Sequence, residues 1–455
     1  MQRGKGPIQV SKKVLVVSYH FYPDQAVGAK RPTELTKSMI EEGWDVEVIT
    51  KHIGKEAHEA RVSKDSIGQI YSIYQHPGII DPLWALVKRV RGHKKGKAQT
   101  AVNPEIDQAR ETQVGETLRF RLKRYIISTQ ATLNACKSWV LASLLFLLYL
   151  KVSGRHYDVV VTSSPPSSSH LIGLTAKWLF KATWITDIRD PINMWEEVLP
   201  VCKSRLREKV ETDLERKYYK KSDALVVTSP SLKSELCSEN RVDNNKVHLI
   251  YNGYDGELKP KNKKNNNVIR MIYAGTLYLN RDPFPVFEAL KELVAESIIN
   301  EKLFIFELFG NCKSWNGINL EDWLNENAIC NLVEIHEYIT GKELEKKLEA
   351  ADILLNLAQG QKKQIPAKTF EYLRFRAVQF LVSEPDSDIS IFLSSNKFGV
   401  VAQSTKEDVK EKLKTILSEV RNQRGLASEA GDDRKLLYAR AEQNKEYISV
   451  IKNAG

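Results

Sequence analysis

Cysteine is scarce in this chain: Cys136, Cys202, Cys237, Cys312 and Cys330 are five among 455 residues. Their number is odd, none are close together and no metal-ligand spacing appears. That excludes a disulfide framework and a zinc module, and points to reduced structural thiols in a cytosolic setting. Long apolar runs are also missing. The longest, Trp139 to Leu150, contains Ser143 and falls short of the roughly 20 residues a spanning helix needs, so it reads as a buried helix. The basic Met1 to Lys13 is followed by an apolar stretch, Val14 to Val17, too short for a signal peptide. No short internal repeat is visible.

What the chain does have is length, apolar content and positive charge. At 455 residues it exceeds one compact core, so two or more domains are expected, and 42% hydrophobic content can fill them. Lys and Arg number 68 against 57 Asp and Glu, a formal charge of +11. Such a balance suits anionic small molecules, an anionic membrane or nucleic acid. One basic cluster runs from Lys88 to Lys97. A second, Arg119 to Tyr125, interleaves arginines with large apolar groups as a helix on a lipid surface would, or forms a solvated face. No nucleic-acid-binding module accompanies the charge, so no nucleic acid partner is expected.

Along the chain, strands and helices alternate. Lys13 to Ser18 is an apolar run that suits a buried parallel strand. A polar loop with Gly28 follows, then a helix opened by Pro32 and stopped by Gly43, then a strand over Asp45 to Thr50. This βαβ unit starts a doubly wound sheet. Residues 52–155 are less regular and hold a long helix ending near Val152. Strands resume at Tyr157 to Thr162, Trp184 to Asp187, Ala224 to Val227 and Val247 to Ile250. The polar stretch 256–267 reads as a linker. A second alternating region starts at Ile269 to Gly275 and continues through Leu303 to Leu308, Ile353 to Leu357 and Phe380 to Val382. The expectation is an α/β chain of two Rossmann-like doubly wound domains. The first spans 1–255 with a basic helical insertion at about 53–155, and the second spans 268–420. A charged helical tail, 421–455, would pack back on the first.

Ligands of open α/β sheets bind where strands end and loops lead into helices. Four such loops stand out. The first runs from Tyr19 to Arg31; Gly28 lets backbone approach a ligand, and Arg31 suits a phosphate. The second, Ser163-Ser164-Pro165-Pro166-Ser167-Ser168-Ser169-His170, offers hydroxyls including Ser164; His170 reads as a packing or capping residue. The third is Asp187-Ile188-Arg189-Asp190-Pro191, two carboxylates around an arginine, with Trp195 after it. The fourth pairs Gly275-Thr276 and Arg281 with Ile365-Pro366-Ala367-Lys368-Thr369-Phe370-Glu371-Tyr372-Leu373. There Pro366 suits a first helical turn, and Lys368 and Glu371 share a face, so that a cation and an anion would meet.

Taken in order with Ser222-Asp223-Ala224 and Asn252-Gly253-Tyr254-Asp255, these motifs resemble the layout of glycosyltransferase family 4, bacterial surface-polysaccharide type. The likeness runs from about Lys13 to Leu417. It implies a GT-B fold whose two domains face each other across a cleft, with the acceptor held by the first domain and a nucleotide-sugar donor by the second. It also implies transfer with retention, and neither cofactor nor metal. By position, Glu371 would bind ribose or sugar hydroxyls, Lys368 and Arg281 would balance the diphosphate beside the Gly275 loop, and Asn252-Gly253 would lie by the hinge. The chain departs from the family where Lys363 replaces a glutamate, Thr276 an arginine, and Arg374-Phe375-Arg376-Ala377 a small-residue turn. Phosphate charge would then fall to Lys363, Arg281, Arg374 or Arg376. Asp190, Arg189 and Asp187 are the candidates for orienting acceptor or sugar. The expected activity is sugar transfer to a glycan or lipid-linked acceptor in cell-surface polysaccharide synthesis, in the cytoplasm or peripherally on the inner face of the plasma membrane. A non-catalytic scaffold or binding subunit, or a nucleotide-sugar epimerase or hydrolase, is the alternative.

Overall fold

The computed structural model describes residues 11–54, 67–74, 137–190, 205–239, 242–260, 268–278, 280–422 and 431–454. Both basic clusters, Trp195 and most of the linker lie outside those residues. The chain divides into two compact units. The first comprises Met1–Val227, Lys233–Leu249 and Glu446–Gly455; the second comprises Thr228–Leu232 and Ile250–Lys445.

The first unit is built on β1 (Lys13–Ser18), α1 (Val27–Glu41), β2 (Asp45–Lys51), β3 (Gln69–Ile73), α2 (Lys137–Val152), β4 (Val159–Ser164), α3 (Ser168–Phe180), β5 (Thr183–Ile188), α4 (Arg205–Lys221), β6 (Ala224–Val227), α5 (Pro230–Ser238) and β7 (Val247–Leu249). Its strands form one parallel sheet in the order β3-β2-β1-β4-β5-β6-β7. The central strands read as unbroken apolar runs because both faces are covered: Leu15, Val17, Val160 and Trp184 are buried beneath α2 and α3. Gly173 lets α3 sit directly on the sheet. A Cβ there would lie 2.3 Å from Thr162 Cγ2 and 2.4 Å from Trp184 Nε1.

Two sequence expectations need correction here. The first helix begins at Val27, and Pro32 lies inside it rather than at its start. A proline at that point cannot donate to the carbonyl four residues back, Gly28 O. That carbonyl instead accepts a bond from Arg189 Nη1 at 2.7 Å, so the helix continues. The run Trp139 to Leu150 is helical but only half buried. Trp139, Ser143, Leu147 and Leu150 face the core, while Leu141, Leu145, Leu148 and Tyr149 are exposed.

The second unit contains β8 (Ile269–Ala274), α6 (Phe284–Ala295), β9 (Phe304–Phe309), the short hairpin β10 (Ser314–Trp315) and β11 (Ile318–Asn319), α7 (Leu320–Glu326), β12 (Val333–His336), α8 (Gly341–Ala350), β13 (Ile353–Leu357), α9 (Ala367–Leu373), β14 (Val378–Val382), α10 (Asp388–Asn396), β15 (Gly399–Ala402), α11 (Lys406–Arg421) and α12 (Asp432–Leu436). Its six-stranded parallel sheet runs β12-β9-β8-β13-β14-β15. One core cluster joins Met271, Tyr273, Phe306, Leu355 and Phe380 to Phe287 and Leu290 of α6 and Leu413 and Ile416 of α11. The last helix, α13 (Arg440–Ala454), has its first residues in the second unit and residues 446 onward in the first.

In both sheets, consecutive strands run outward from the first strand to one edge, and the chain then returns to start again on its other side. The first strand and its later neighbour, β1 with β4 and β8 with β13, are therefore followed by connections that diverge. The carboxyl ends of such neighbouring strands are where open α/β sheets bind ligands.

Candidate functional site

In the second unit, the loops that leave β8 and β9 are pressed together by glycine. Gly275 N donates to Phe309 O at 2.9 Å, and Cys312 Sγ donates to Gly275 O at 3.3 Å. Gly310 has φ of +127°, and a Cβ on it would lie 2.2 Å from Gly275 O. Only glycine fits there. The turn beyond Gly275 is fixed by the carbonyl of Thr276, which accepts from Tyr273 Oη at 3.1 Å and from Arg281 Nη1 at 3.3 Å. The Arg281 guanidinium also stacks on Tyr278, 4.5 Å from the ring centre.

Lys368 enters the same neighbourhood from the start of α9. Its Nζ is buried 4.4 Å from the centre of the Tyr273 ring and has no hydrogen-bond partner. Burial and the nearby Arg281 charge push its pKa well below the ordinary lysine value. Among the described residues, neither Lys368 nor Arg281 pairs with a carboxylate, and Arg281 Nε is likewise buried without a partner. Burial beside Arg281 disfavours the ammonium form of Lys368 while no anion offsets it. The arrangement is suited to receiving an anion.

The expected meeting of Lys368 with Glu371 does not occur. While Lys368 turns to Tyr273, the half-buried Glu371 carboxylate lies 3.8 Å from Arg440 Nη2. Arg440 also bonds Asp255 at 2.6 Å, Gly253 O at 2.9 Å and Asn252 O. It thereby fastens Asn252 to Asp255, and Tyr254 bonds the backbone of Tyr438 and Arg440 on either side. The start of α9 is anchored by Asn356 Nδ2, which donates to Thr369 Oγ1 at 3.0 Å. Lys363 is exposed, and its carbonyl accepts from Ser229 Oγ at 2.7 Å. Arg374 is committed to Glu345 at 2.6 Å and Arg376 to Asp432, so both are turned to structural ion pairs.

Gly310 and Arg440 are absent from the sequence reading, and Tyr273 entered it only as part of a strand. Gly310 could have been found, since it follows an apolar strand just as Gly275 does. Arg440 sits in a charged tail where nothing local marks it.

In the first unit, the ends of β4 and β5 and the start of α1 meet in a buried polar network. Asp187 accepts from Arg31 Nε at 3.1 Å and from Ser163 Oγ at 2.8 Å. Arg189 donates to Ser164 O and Gly28 O, and a Cβ on Gly28 would lie 3.1 Å from Arg189 Nη2. Ser164 Oγ donates to Asp187 O at 3.3 Å. The guanidinium of Arg31 also lies 5.7 Å from the ring of Tyr447 in α13. Gly28, Arg31, Ser164, Asp187 and Arg189 are thus brought together as one linked set. Arg31, Asp187 and Arg189 are buried within it, and Asp190 is half-buried at its edge.

One trio of metal-ligand type occurs among the described residues: Glu307, Glu334 and His336, with ligand atoms within 4.8 Å of one another. Glu307 is already neutralised by Arg270 at 3.2 Å and Lys347 at 2.8 Å. It is an ion-pair cluster on β9 and β12.

Residues 28–253 match the family model described as a glycosyl transferase 4-like domain. No curated protein matches the sequence. Among solved structures, a glycosyltransferase from Rickettsia africae is similar over 98% of this chain and 99% of its own, at 12% identity and a TM-score of 0.60. Sucrose-phosphate synthase from Thermosynechococcus elongatus is similar over 97% of this chain and 98% of its own, at 13% identity and a TM-score of 0.61. Alr3699/HepE from Anabaena, in complex with UDP-glucose, is similar over 97% of this chain and all of its own, at 11% identity and a TM-score of 0.55. At these identities the structural likeness establishes the fold.

Proposed function

We propose that this chain, which has the GT-B fold and matches a glycosyl transferase 4-like domain over residues 28–253, is a family-4-type glycosyltransferase that moves a sugar from a nucleotide-sugar donor to a glycan or lipid-linked acceptor. The observation that carries the donor site is Lys368 with Arg281, neither paired with a carboxylate among the described residues, beside the Gly275 and Gly310 loops at the β8 and β9 strand ends. A diphosphate would supply the missing negative charge, and exposed backbone at the glycines would let it approach. Thr276 follows Gly275 directly, and the exposed Lys363 lies on the loop that leads into α9. Glu371, 3.8 Å from Arg440, would accept hydrogen bonds from ribose or sugar hydroxyls. The complex of the Anabaena neighbour with UDP-glucose supports this class of donor.

In the transfer, the bond from the anomeric carbon to the diphosphate oxygen breaks and a bond to an acceptor oxygen forms, while the acceptor hydroxyl loses its proton. Negative charge grows on the leaving diphosphate, and the fixed Lys368 and Arg281 stabilise it. Asp190, Arg189, Asp187, Gly28, Arg31 and Ser164 form the acceptor side. There the buried Asp187, Arg31 and Arg189 hold the loop and Asp190 is the group best placed at its edge. A retaining outcome, hexosyl transfer and a role in lipopolysaccharide or capsule synthesis rest on the family resemblance. So does a cytoplasmic location, peripheral on the membrane.

The test is a thermal-shift screen of nucleoside diphosphates and their sugar conjugates on the wild type and on Lys368→Met. The variant removes a buried charge with little change of volume. It should be more stable than the wild type by about 1–3 kcal/mol. It should also bind the preferred diphosphate at least about tenfold more weakly. A folded Lys368→Met or Glu371→Ala enzyme that transfers sugar at the wild-type rate would remove the assigned site.

A further inference from the structure

α2 is apolar on two opposite faces. Against the buried face stand Leu141, Leu145, Leu148, Tyr149 and Val152, each between 50% and 89% exposed. At 3.6 residues per turn their spacing places all five within an arc of about 100°. The helix carries no Asp or Glu. α3 packs beside it, and Lys151 Nζ lies 5.6 Å from the Phe180 ring, which sets the carboxyl ends of the two helices side by side. At that end Trp178 is 79% exposed, and the side chains of Lys151 and Lys181 are exposed as well. Contiguous exposure of this kind marks an interaction surface.

We propose that this face of α2, with Trp178, Lys151 and Lys181, docks the protein onto an anionic lipid bilayer, with the helix lying flat in the headgroup region. The inference rests on the reading that the acceptor is presented at a membrane, and names the surface that reaches it. Aliphatic side chains in the centre of the stripe suit the acyl boundary, and amphipathic rings such as Tyr149 and Trp178 suit the interface. The ammonium groups would meet lipid phosphates without an opposing carboxylate on the helix. At 16 residues the helix is about 24 Å long, short of a bilayer's hydrocarbon core. No helix among the described residues is long and apolar enough to cross a membrane. A second copy of the chain is a poorer occupant. A stripe about 24 Å by 10 Å offers roughly 250 Å² per copy, so a pair buries about 500 Å², below the ~1,200 Å² of a stable interface.

The experiment is flotation of the full chain with phosphatidylcholine vesicles, with and without phosphatidylglycerol, at low and high salt. The wild type should float with the anionic vesicles, and salt should weaken the association. The double variant Leu145→Glu/Leu148→Glu alters two exposed positions, so its melting temperature should match the wild type, and its bound fraction should fall at least about tenfold. Tyr338→Glu, at another exposed aromatic in the second unit, should float normally. Wild-type flotation by the double variant, no flotation by the wild type, or a solution dimer that the double variant splits would each overturn the proposal. The nucleoside diphosphate thermal shift, read on the same samples, should be untouched by the double variant. Flotation without any such shift would leave the lipid surface standing and remove the donor site; the reverse result would do the opposite.

Discussion

Thr162 links two buried rings: Trp184 Nε1 donates to its hydroxyl at 2.9 Å, and the hydroxyl bonds His170 Nδ1 at 2.8 Å. Burial of His170, helped by the charge of Arg189, lowers its pKa from 6.5 to about 3. In the unfolded chain the same imidazole protonates near 6.5, so between about 3 and 6.5 the unfolded state binds more protons. The stability tied to this group is complete above pH 6.5 and is lost as pH falls toward 3, amounting to about 2 kcal/mol by pH 5. Denaturation of the wild type should therefore show a larger loss of stability from pH 7.5 to pH 5 than that of His170→Asn, by about that amount. Equal losses would show that another group governs the acid side. At this scale the sequence reveals which residue types occupy the strand ends, and Arg281, Lys368 and Glu371 stand out there. It does not reveal which cations have been spent on ion pairs. Arg374 finds Glu345 from 29 residues away and Arg376 finds Asp432 from 56 away, so only the folded chain separates them from Lys368.

The strands were the easiest elements to read, because a parallel strand covered on both sides appears as an unbroken apolar run. Helices were harder where their ends or faces depend on distant groups. α1 begins five residues before Pro32 because Arg189, far along the chain, bonds the carbonyl that the proline leaves open. α2 looks like a core helix because apolar residues cover it all round, and nothing local shows that one face lacks a neighbour. The glycine after β9 yields a prediction at this level. Gly310→Ala would force a Cβ against Gly275 O in a backbone conformation that L residues avoid. It should cost about 1–3 kcal/mol and displace the Gly275 loop, so the melting temperature and the diphosphate thermal shift should both fall. A variant with normal stability and a normal shift would mean that the two loops are not coupled.

Across the whole molecule, the two sheets share one pattern, with the first strand central and a later strand returning to its other side. That alternation of strand and helix was legible in sequence. The sequence reading set the whole tail, 421–455, back against the first domain; the division between the two units falls inside that tail. The first takes up residues 446–455 after nearly two hundred residues assigned to the second, and there Tyr447, Ile448 and Ile451 are buried. Lys452 pairs with Glu42 at 2.6 Å, and Lys12 Nζ bonds Ile451 O at 3.4 Å. A chain ending at Lys445 should therefore lose several kcal/mol from the first unit, since each large apolar side chain contributes roughly 1.5–3 kcal/mol on burial. Calorimetry would show the transition of the first unit lowered and that of the second retained; two unmoved transitions would refute this.

The same feature orders events during synthesis. Domains generally fold as the ribosome releases them, amino-terminal one first. Here the earlier-made lobe keeps the site that buries Tyr447, Ile448 and Ile451 unfilled until residues 446–455 emerge, long after the later-made lobe has all its strands. The nascent polypeptide would thus display unfinished hydrophobic surface through most of translation, and chaperones would meet it at the lobe that was made first.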